Sequence, residues 1–308
     1  MARFSPTEAA FEGFRLTREH PRAVLAWALA YFFYTLALAI LTISWIGPDF
    51  AAFSALSHSA NPDPAELAHA FEKIGPYLLV VIPLQVVFFA VLNCAIYRAV
   101  LRPFESGTGY LRLGRDEFRM VAVIAMLFMI WLAILFVVSV VVTLAAGTIG
   151  VFGGAPGALI GVVVDVAVFC LAIWVLVRLS LAGPMTFDQR RLVVFGSWSF
   201  TRTAFWPLTG AYILASLLGG VIVALMMVIS SGIIAAAFMA TGGTLAGLSQ
   251  NVQTDISTLH AFLTLPTLLS QALGSAMVVF YFVIALSPSA IAYQGLIGEG
   301  RTDAAMLV

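Results

Sequence analysis

Long apolar runs alternate along this chain with short polar segments. A helix needs roughly 20 mostly apolar residues to cross the hydrocarbon core of a bilayer. Six stretches qualify: Ala23–Ile46, Tyr77–Leu101, Met120–Ala146, Ala158–Gly183, Trp206–Ala240 and Phe262–Ile297. The last two run to about 35 residues, which at ~1.5 Å per residue exceeds a ~30 Å core. They are expected to tilt, kink or protrude, with Ser230-Ser231-Gly232, Pro266 and Pro288 as the irregular points. The first stretch is too long for the apolar core of a signal peptide and ends at Trp45 without a small-residue cleavage site, so it is expected to stay as a membrane helix.

Composition agrees with this pattern. Of 308 residues, 62% are hydrophobic and 10% charged, against ~45–50% apolar and ~25% charged in a soluble domain. The expected fold class is an all-α polytopic membrane protein. Fifteen basic residues balance fifteen acidic ones, which leaves no basic footprint for nucleic acid. Two cysteines exclude a disulfide scaffold and a CxxC metal knuckle. Cys94 and Cys170 fall inside apolar stretches and read as packing residues.

The arginines set the orientation. Arg3, Arg15, Arg18 and Arg22 precede the first stretch. Arg98, Arg102, Arg112, Arg115 and Arg119 lie at or between the ends of the second and third, Arg178, Arg190, Arg191 and Arg202 at or between those of the fourth and fifth, and Arg301 in the tail. Only Lys73 falls on the other side, with Asp49, Asp63, Glu66, Glu72 and Asp255. The positive-inside rule then predicts both termini in the cytoplasm. Abundant alanine and arginine beside a single lysine suggest a GC-rich bacterial genome, hence a bacterial cytoplasmic (inner) membrane.

The arginine-rich segments resemble one another. Arg15-Leu16-Thr17-Arg18-Glu19-His20-Pro21-Arg22 aligns with Arg112-Leu113-Gly114-Arg115-Asp116-Glu117-Phe118-Arg119 at an offset of 97. Phe11, Phe14, Leu16, Thr17 and Arg18 align with Phe195, Trp198, Phe200, Thr201 and Arg202 at 184. Gln85, Phe89 and Arg98 fall on Asp165, Phe169 and Arg178 at 80. This order suggests an internal repeat, with units at 5–102, 104–184 and 186–297 of one membrane domain. Each unit is expected to be a short amphipathic cytoplasmic or interfacial helix followed by a membrane hairpin, three hairpins in all.

Capping signals support the surface helices. Ser5-Pro6-Thr7-Glu8 is a capping box with proline at the first helical position, and Thr186 with Gln189 reads as a second one before Leu192, Phe195 and Trp198. Aromatics beside arginines suit a helix in the headgroup layer. The plainer alternative is that these segments are cytoplasmic extensions of the spans. On the opposite side, Asp63-Pro64-Ala65-Glu66 predicts the start of a short outer helix carrying Leu67, Phe71 and Ile74. The outer segment from Thr241 to His260 is polar and glycine-rich at its start, and Gly153-Gly154-Ala155-Pro156-Gly157 reads as a tight turn.

Ionisable residues within lipid are functional candidates by default. Asp165 is the deep one here, about 10 Å from the outer end of its stretch by helical rise. A hairpin centred near residue 152 would place it opposite Ser139, with Thr143 one turn away. Gln85 and Gln271 fall at similar depth, so Gln85, Asp165 and Gln271 are expected to form a polar layer. It would serve either as a binding or proton-handling site or as interhelical hydrogen bonding. Ser216, Gly220 and Ala224 recur at four-residue spacing and read as internal helix packing.

Enzyme constellations are missing. His20, His58, His69 and His260 are scattered, and neither a phosphate-binding loop nor a nucleophile elbow occurs. No cofactor is expected.

Three segments carry a family resemblance: Phe14-Arg15-Leu16-Thr17-Arg18, then Arg178-Leu179-Ser180-Leu181-Ala182-Gly183-Pro184, then Ser197-Trp198-Ser199-Phe200-Thr201-Arg202. The chain resembles the membrane domain associated with some bacterial glycerophosphoryl diester phosphodiesterases and related six-span proteins. The resemblance spans nearly the whole chain and implies six spans. In that family the membrane domain can precede a soluble catalytic domain. About eleven residues follow the last stretch here, so the hydrolase domain is not expected and its activity does not carry over.

The functional expectation is a non-enzymatic integral membrane protein, lipid-associated or partner-binding. Arg15, Arg18, Arg22, Arg112, Arg115, Arg119, Arg190, Arg191 and Arg202 would hold anionic membrane lipids or a cytoplasmic or membrane protein partner. The alternative is a small transporter or permease subunit using the cluster around Asp165. A cavity reaching Asp165 would favour transport, and a bundle closed at that level would favour the first reading.

Overall fold

The computed structural model describes residues 5–57, 63–105, 107–152, 154–240 and 258–306. Over these residues it is helical and without strands: α1 (Pro6–Glu19), α2 (Pro21–Ser57), α3 (Pro64–Leu101), a 3-10 turn η1 (Gly107–Tyr110), α4 (Arg115–Phe152), α5 (Gly154–Leu179), α6 (Ala182–Gln189), α7 (Gly196–Ala240), α8 (Leu259–Phe262) and α9 (Leu265–Met306). Six segments, carried by α2, α3, α4, α5, α7 and α9, are long and apolar enough to cross a membrane. Helix α2 packs along α3, α4 along α5, and α7 along α9.

Helix α9 is the centre of the bundle. It touches α1, α2, α3 and α7, and 56% of its most apolar window is buried, against 28% or less in the other five. Small residues make this arrangement fit, since Ser275, Ser287, Ser289, Ala290 and Ala292 are all buried. Close packing of small side chains stands in for a hydrophobic driving force inside lipid. Ser287 Oγ donates to Val283 O and Ser289 Oγ to Leu286 O, so these buried hydroxyls are satisfied within the helix.

Packing is densest at the end that carries the arginines. There Ala9 of α1, Leu181 and Met185 around α6, Ala204 and Leu208 of α7, and Tyr293 of α9 form one buried cluster. A second joins Leu16 of α1, Trp27 of α2, Ile96 of α3, Tyr110 of η1 and Val283 of α9. The opposite halves of α4, α5 and α7 leave large apolar side chains exposed, Phe136, Val162 and Val228 among them. This is the surface a hydrocarbon solvent requires.

Helix α1 forms as its sequence predicts. Pro6 opens it, and Ser5 Oγ accepts a hydrogen bond from Glu8 N at 3.4 Å. Part of its apolar face packs into the bundle. Ala9, Ala10, Gly13 and Leu16 are buried against α7 and α9. Burying a leucine side chain such as Leu16 is worth roughly 1.5–3 kcal/mol.

The other two amphipathic helices take different forms. Before α4 there is only η1, because Pro103 and three glycines between 103 and 114 disfavour helix. The expected interfacial helix around Leu192–Trp198 is instead a loop followed by the first turns of α7, the extension reading. Thr186 does not cap it: its Oγ1 accepts from Val193 N at 3.2 Å within a buried α6. Helix α6 is buried from Ala182 to Phe187, because its small and apolar residues fill the space between α4, α3 and α9.

Three further expectations change. Helix α7 is unbroken at Ser230-Ser231-Gly232, where both serine hydroxyls donate back to backbone carbonyls three residues earlier. Pro266 lies in the first turn of α9 rather than within it, where its missing N–H removes no helical bond. The outer helix at Asp63 exists, with Asp63 Oδ1 accepting from Ala65 N at 2.9 Å, but it runs on without a break as α3. The partner helix α2 bends at Ile46, just before Pro48. Beyond the bend Ile46, Ile74 and Tyr77 pack together, and Lys73 Nζ lies 3.8 Å from Asp49 Oδ1. The expectations for Gly153 and for residues 241–257 lie outside the described residues.

Candidate functional site

Helix α5 has α4 and α7 as its principal neighbours and stands off the central helix. The gap that results is a chamber of about 970 Å³. Its wall is apolar, with Val123, Leu127 and Trp131 from α4 and Ile173 and Val177 from α5. Phe128, Phe169, Leu176, Ile213 and Leu217 also line it and are themselves exposed. The chamber therefore communicates with the hydrocarbon surface.

Polar atoms gather at one end. Asn93, Tyr97, Ser180, Thr209, Tyr212 and Ser289 all reach the chamber. Tyr97 lies against Ser289, and Tyr212 lies between Ser180 and Ser289. Ser180 Oγ donates to Val177 O and Ser289 Oγ to Leu286 O, so both serines keep lone pairs free to accept. The Tyr212 hydroxyl is buried, with the Ser180 and Ser289 hydroxyls as its polar neighbours. A buried hydroxyl needs a hydrogen-bond partner, and this cluster offers bonding positions to a polar group that enters the chamber. Gly183 makes room for this arrangement, since a Cβ there would lie 2.7 Å from the Tyr97 hydroxyl.

A second cavity, of about 470 Å³, opens at the arginine-bearing end. It is built from the end of α3, the first turn of α4 and the residue after α6. Arg98 is its buried wall: Nη2 lies 2.6 Å from Glu117 Oε1, and Nη1 donates to Tyr110 O. The guanidinium groups of Arg98 and Arg102 both stack over the Phe187 ring. Arg102 pairs with Asp116 at 3.7 Å, Arg119 with Asp116 at 2.6 Å and Arg112 with Glu105 at 3.6 Å. Arg115 and Arg190 line the same cavity and make no ion pair among the described residues.

Arg178, near the end of α5, has different surroundings. Its guanidinium sits over the rings of Trp174, Trp198 and Phe205 at 5.5–5.7 Å. Its carbonyl accepts from Ser197 Oγ at 2.7 Å, across the same nineteen-residue separation that joins Arg98 to Glu117.

The polar layer proposed from depth alone does not assemble. Asp165 is exposed on α5 and has no hydrogen bond or ion pair among the described residues. Ser139 and Thr143 are exposed on α4, with Ser139 Oγ donating to Phe136 O and Thr143 Oγ1 to Ser139 O. Gln85 Oε1 accepts from Tyr34 of α2 at 2.7 Å. Gln271 is half-buried on α9. Equal depth does not fix which way a helix faces, and α5 turns Asp165 outward. None of these five residues lines the chamber.

Four of the nine arginines come together in the cationic cavity: Arg112, Arg115, Arg119 and Arg190. Arg15 instead pairs with Glu12 at 2.8 Å on α1. Arg18, Arg22 and Arg202 are exposed elsewhere, and Arg191 Nε donates to Gln189 Oε1 at 3.0 Å. Burial on α1 pushes the Glu12 carboxyl above its ordinary pKa, an effect that the Arg15 guanidinium opposes.

The polar end of the chamber was missed in the sequence, although a signal existed. Asn93 with Tyr97, and Thr209 with Tyr212 and Ser216, recur at helical spacing within apolar stretches. No family model, curated protein or solved structure matches this chain.

Proposed function

We propose that this chain is a non-enzymatic, multi-pass protein of the bacterial cytoplasmic membrane that holds the hydrocarbon chain of a lipid, with both termini in the cytoplasm. The observation that carries this reading is the chamber. At about 970 Å³ it is large, near the top of the ~300–1,000 Å³ range of small-molecule sites, and it has their usual makeup of apolar walls with a few convergent polar groups. The exposed side chains at its mouth favour entry from the bilayer. The hydroxyls of Tyr97, Tyr212, Ser180 and Ser289 give a polar group a place to bond at one end. Transport through a charged path has less support, because Asp165 lies outside the chamber wall.

Photocrosslinking tests the reading. The protein is placed in nanodiscs containing a phospholipid with a diazirine in its acyl chain. Crosslinks are expected on Leu127, Trp131 and Ile173 of the wall, and Ala285→Phe, which fills the chamber from α9, is expected to reduce them selectively. Crosslinks confined to outward residues such as Leu135 and Val166, and indifferent to that substitution, would refute it.

A further inference from the structure

We propose that the cavity at the arginine-bearing end is a binding site for a phosphate group, with Arg115 and Arg190 as its two ligand-facing cations. The proposal stands on the cavity's charge inventory and is independent of the chamber. Six guanidinium groups line the cavity against three carboxylates. Each carboxylate is already committed: Glu117 to Arg98, Asp116 to Arg102 and Arg119, and Glu105 to Arg98 and Arg112. The formal excess of three positive charges therefore has no counterpart among the described residues that line the cavity.

The geometry narrows the ligand. Arg115 comes from the first turn of α4, and Arg190 from the residue that ends α6 in the left-handed conformation, with φ at 53°. The two cations thus approach one space from separate elements. Behind them Arg98 is buried, and its Nε has no hydrogen-bond partner, Glu105 Oε2 lying 3.7 Å away. Gly114, Arg115, Asp116 and Glu117 at the start of α4 line the same space, and a helix N-terminus favours an anion. All six cations are arginine, whose planar fork matches a tetrahedral oxyanion bidentately and which keeps its charge at any working pH. A phosphate, with up to two charges and several acceptor oxygens, engages both free arginines at once. A single carboxylate offers one charge, which the three resident carboxylates already supply to their own partners.

Two sources present this chemistry, free phosphate from solution and the headgroup of an anionic phospholipid. The test separates them in nanodiscs at about 0.15 M salt, where long-range surface attraction is screened. One arm titrates inorganic phosphate by calorimetry into protein in phosphatidylcholine discs. The other measures enrichment of phosphatidylglycerol around the protein in mixed phosphatidylcholine–phosphatidylglycerol discs. Both arms are run on wild type, on the double variant Arg115→Ala with Arg190→Ala, and on Arg191→Ala as a neighbouring control outside the cavity. These three residues are exposed, so the variants are expected to fold, as thermal unfolding will report.

Phosphate binding weakened at least tenfold in the double variant alone supports the site with a soluble ligand. Phosphatidylglycerol enrichment lost in the double variant alone supports it with a lipid headgroup. Binding in neither arm, or equal losses in the double variant and the Arg191 control, overturns it.

Discussion

Gly13 of α1 lies directly on the backbone of Ile284 in α9: a Cβ at position 13 would sit 2.5 Å from Ile284 Cα and 3.0 Å from Ile284 N. No rotamer change relieves such a contact, because the obstacle is main chain. The N-terminal helix is therefore part of the bundle, held where α9 is deepest.

Gly13→Ala is expected to push α1 off α9 and to destabilise the protein by about 1–3 kcal/mol. Thermal unfolding in nanodiscs reads the loss, and faster tryptic cleavage at Arg15 and Arg18 reads the undocking. Gly210→Ala is the control, since nothing lies within 4 Å of a Cβ there. Being within α7, it is expected to be neutral or to stabilise by up to about 1 kcal/mol. Equal effects of the two substitutions would mean that the contact at Ile284 does not matter.

Arg98 and Glu117 are both almost fully buried, with side chains 3% and 5% exposed. Removing one partner strands the other charge. Glu117→Ala is expected to destabilise by about 3–5 kcal/mol, and Arg98→Met combined with Glu117→Leu by much less than the sum of the single changes. A double-mutant cycle showing simple additivity would contradict this coupling.

Glu12 gives α1 a pH dependence of known sign. Burial raises its folded pKa above the ordinary carboxylate value of 4.5. The folded state then holds the proton more tightly than the unfolded state. This group's contribution is most favourable below the unfolded pKa and is lost as pH rises through the folded one. Wild-type stability is expected to decline over the range just above pH 4.5, and Glu12→Gln to flatten that decline. An unchanged pH profile in the variant would assign the decline to other groups.

Asp165 faces outward without a partner among the described residues, so Asp165→Leu is expected to leave the bundle as stable as wild type and to insert at least as well. An aspartate at a helix centre disfavours insertion by ~2.5–3.5 kcal/mol. Loss of folding with leucine but not with asparagine would place Asp165 in a hydrogen-bonded interface instead.

The structure shows where one-dimensional reading succeeds and where it stops. The six apolar stretches were legible because hydrocarbon acts on each helix separately, and length and hydropathy suffice to report it. The cap at Ser5 and the helix start at Asp63 were legible for the same local reason. The polar layer was not, because depth along an axis says nothing of rotation about it. Gln85 finds Tyr34 on α2, while Asp165 turns away. The segment from Thr186 to Trp198 carried the pattern of a surface helix, yet Thr186 ties a loop and Trp198 stacks on Arg178.

Composition and periodicity by themselves determined that this is a six-span helical membrane chain with its arginines gathered toward one end. Each of those properties is a sum over neighbouring residues and needs no partner. Only the tertiary structure decided that α9 is central, that one face of α1 is buried, that α5 stands aside to open a chamber, and that Arg98 meets Glu117 while Arg115 and Arg190 have no ion pair among the described residues. Those outcomes depend on which helix faces meet, and residues such as Gly13 and Gly183 settle that by lacking a Cβ where residues far along the chain come close.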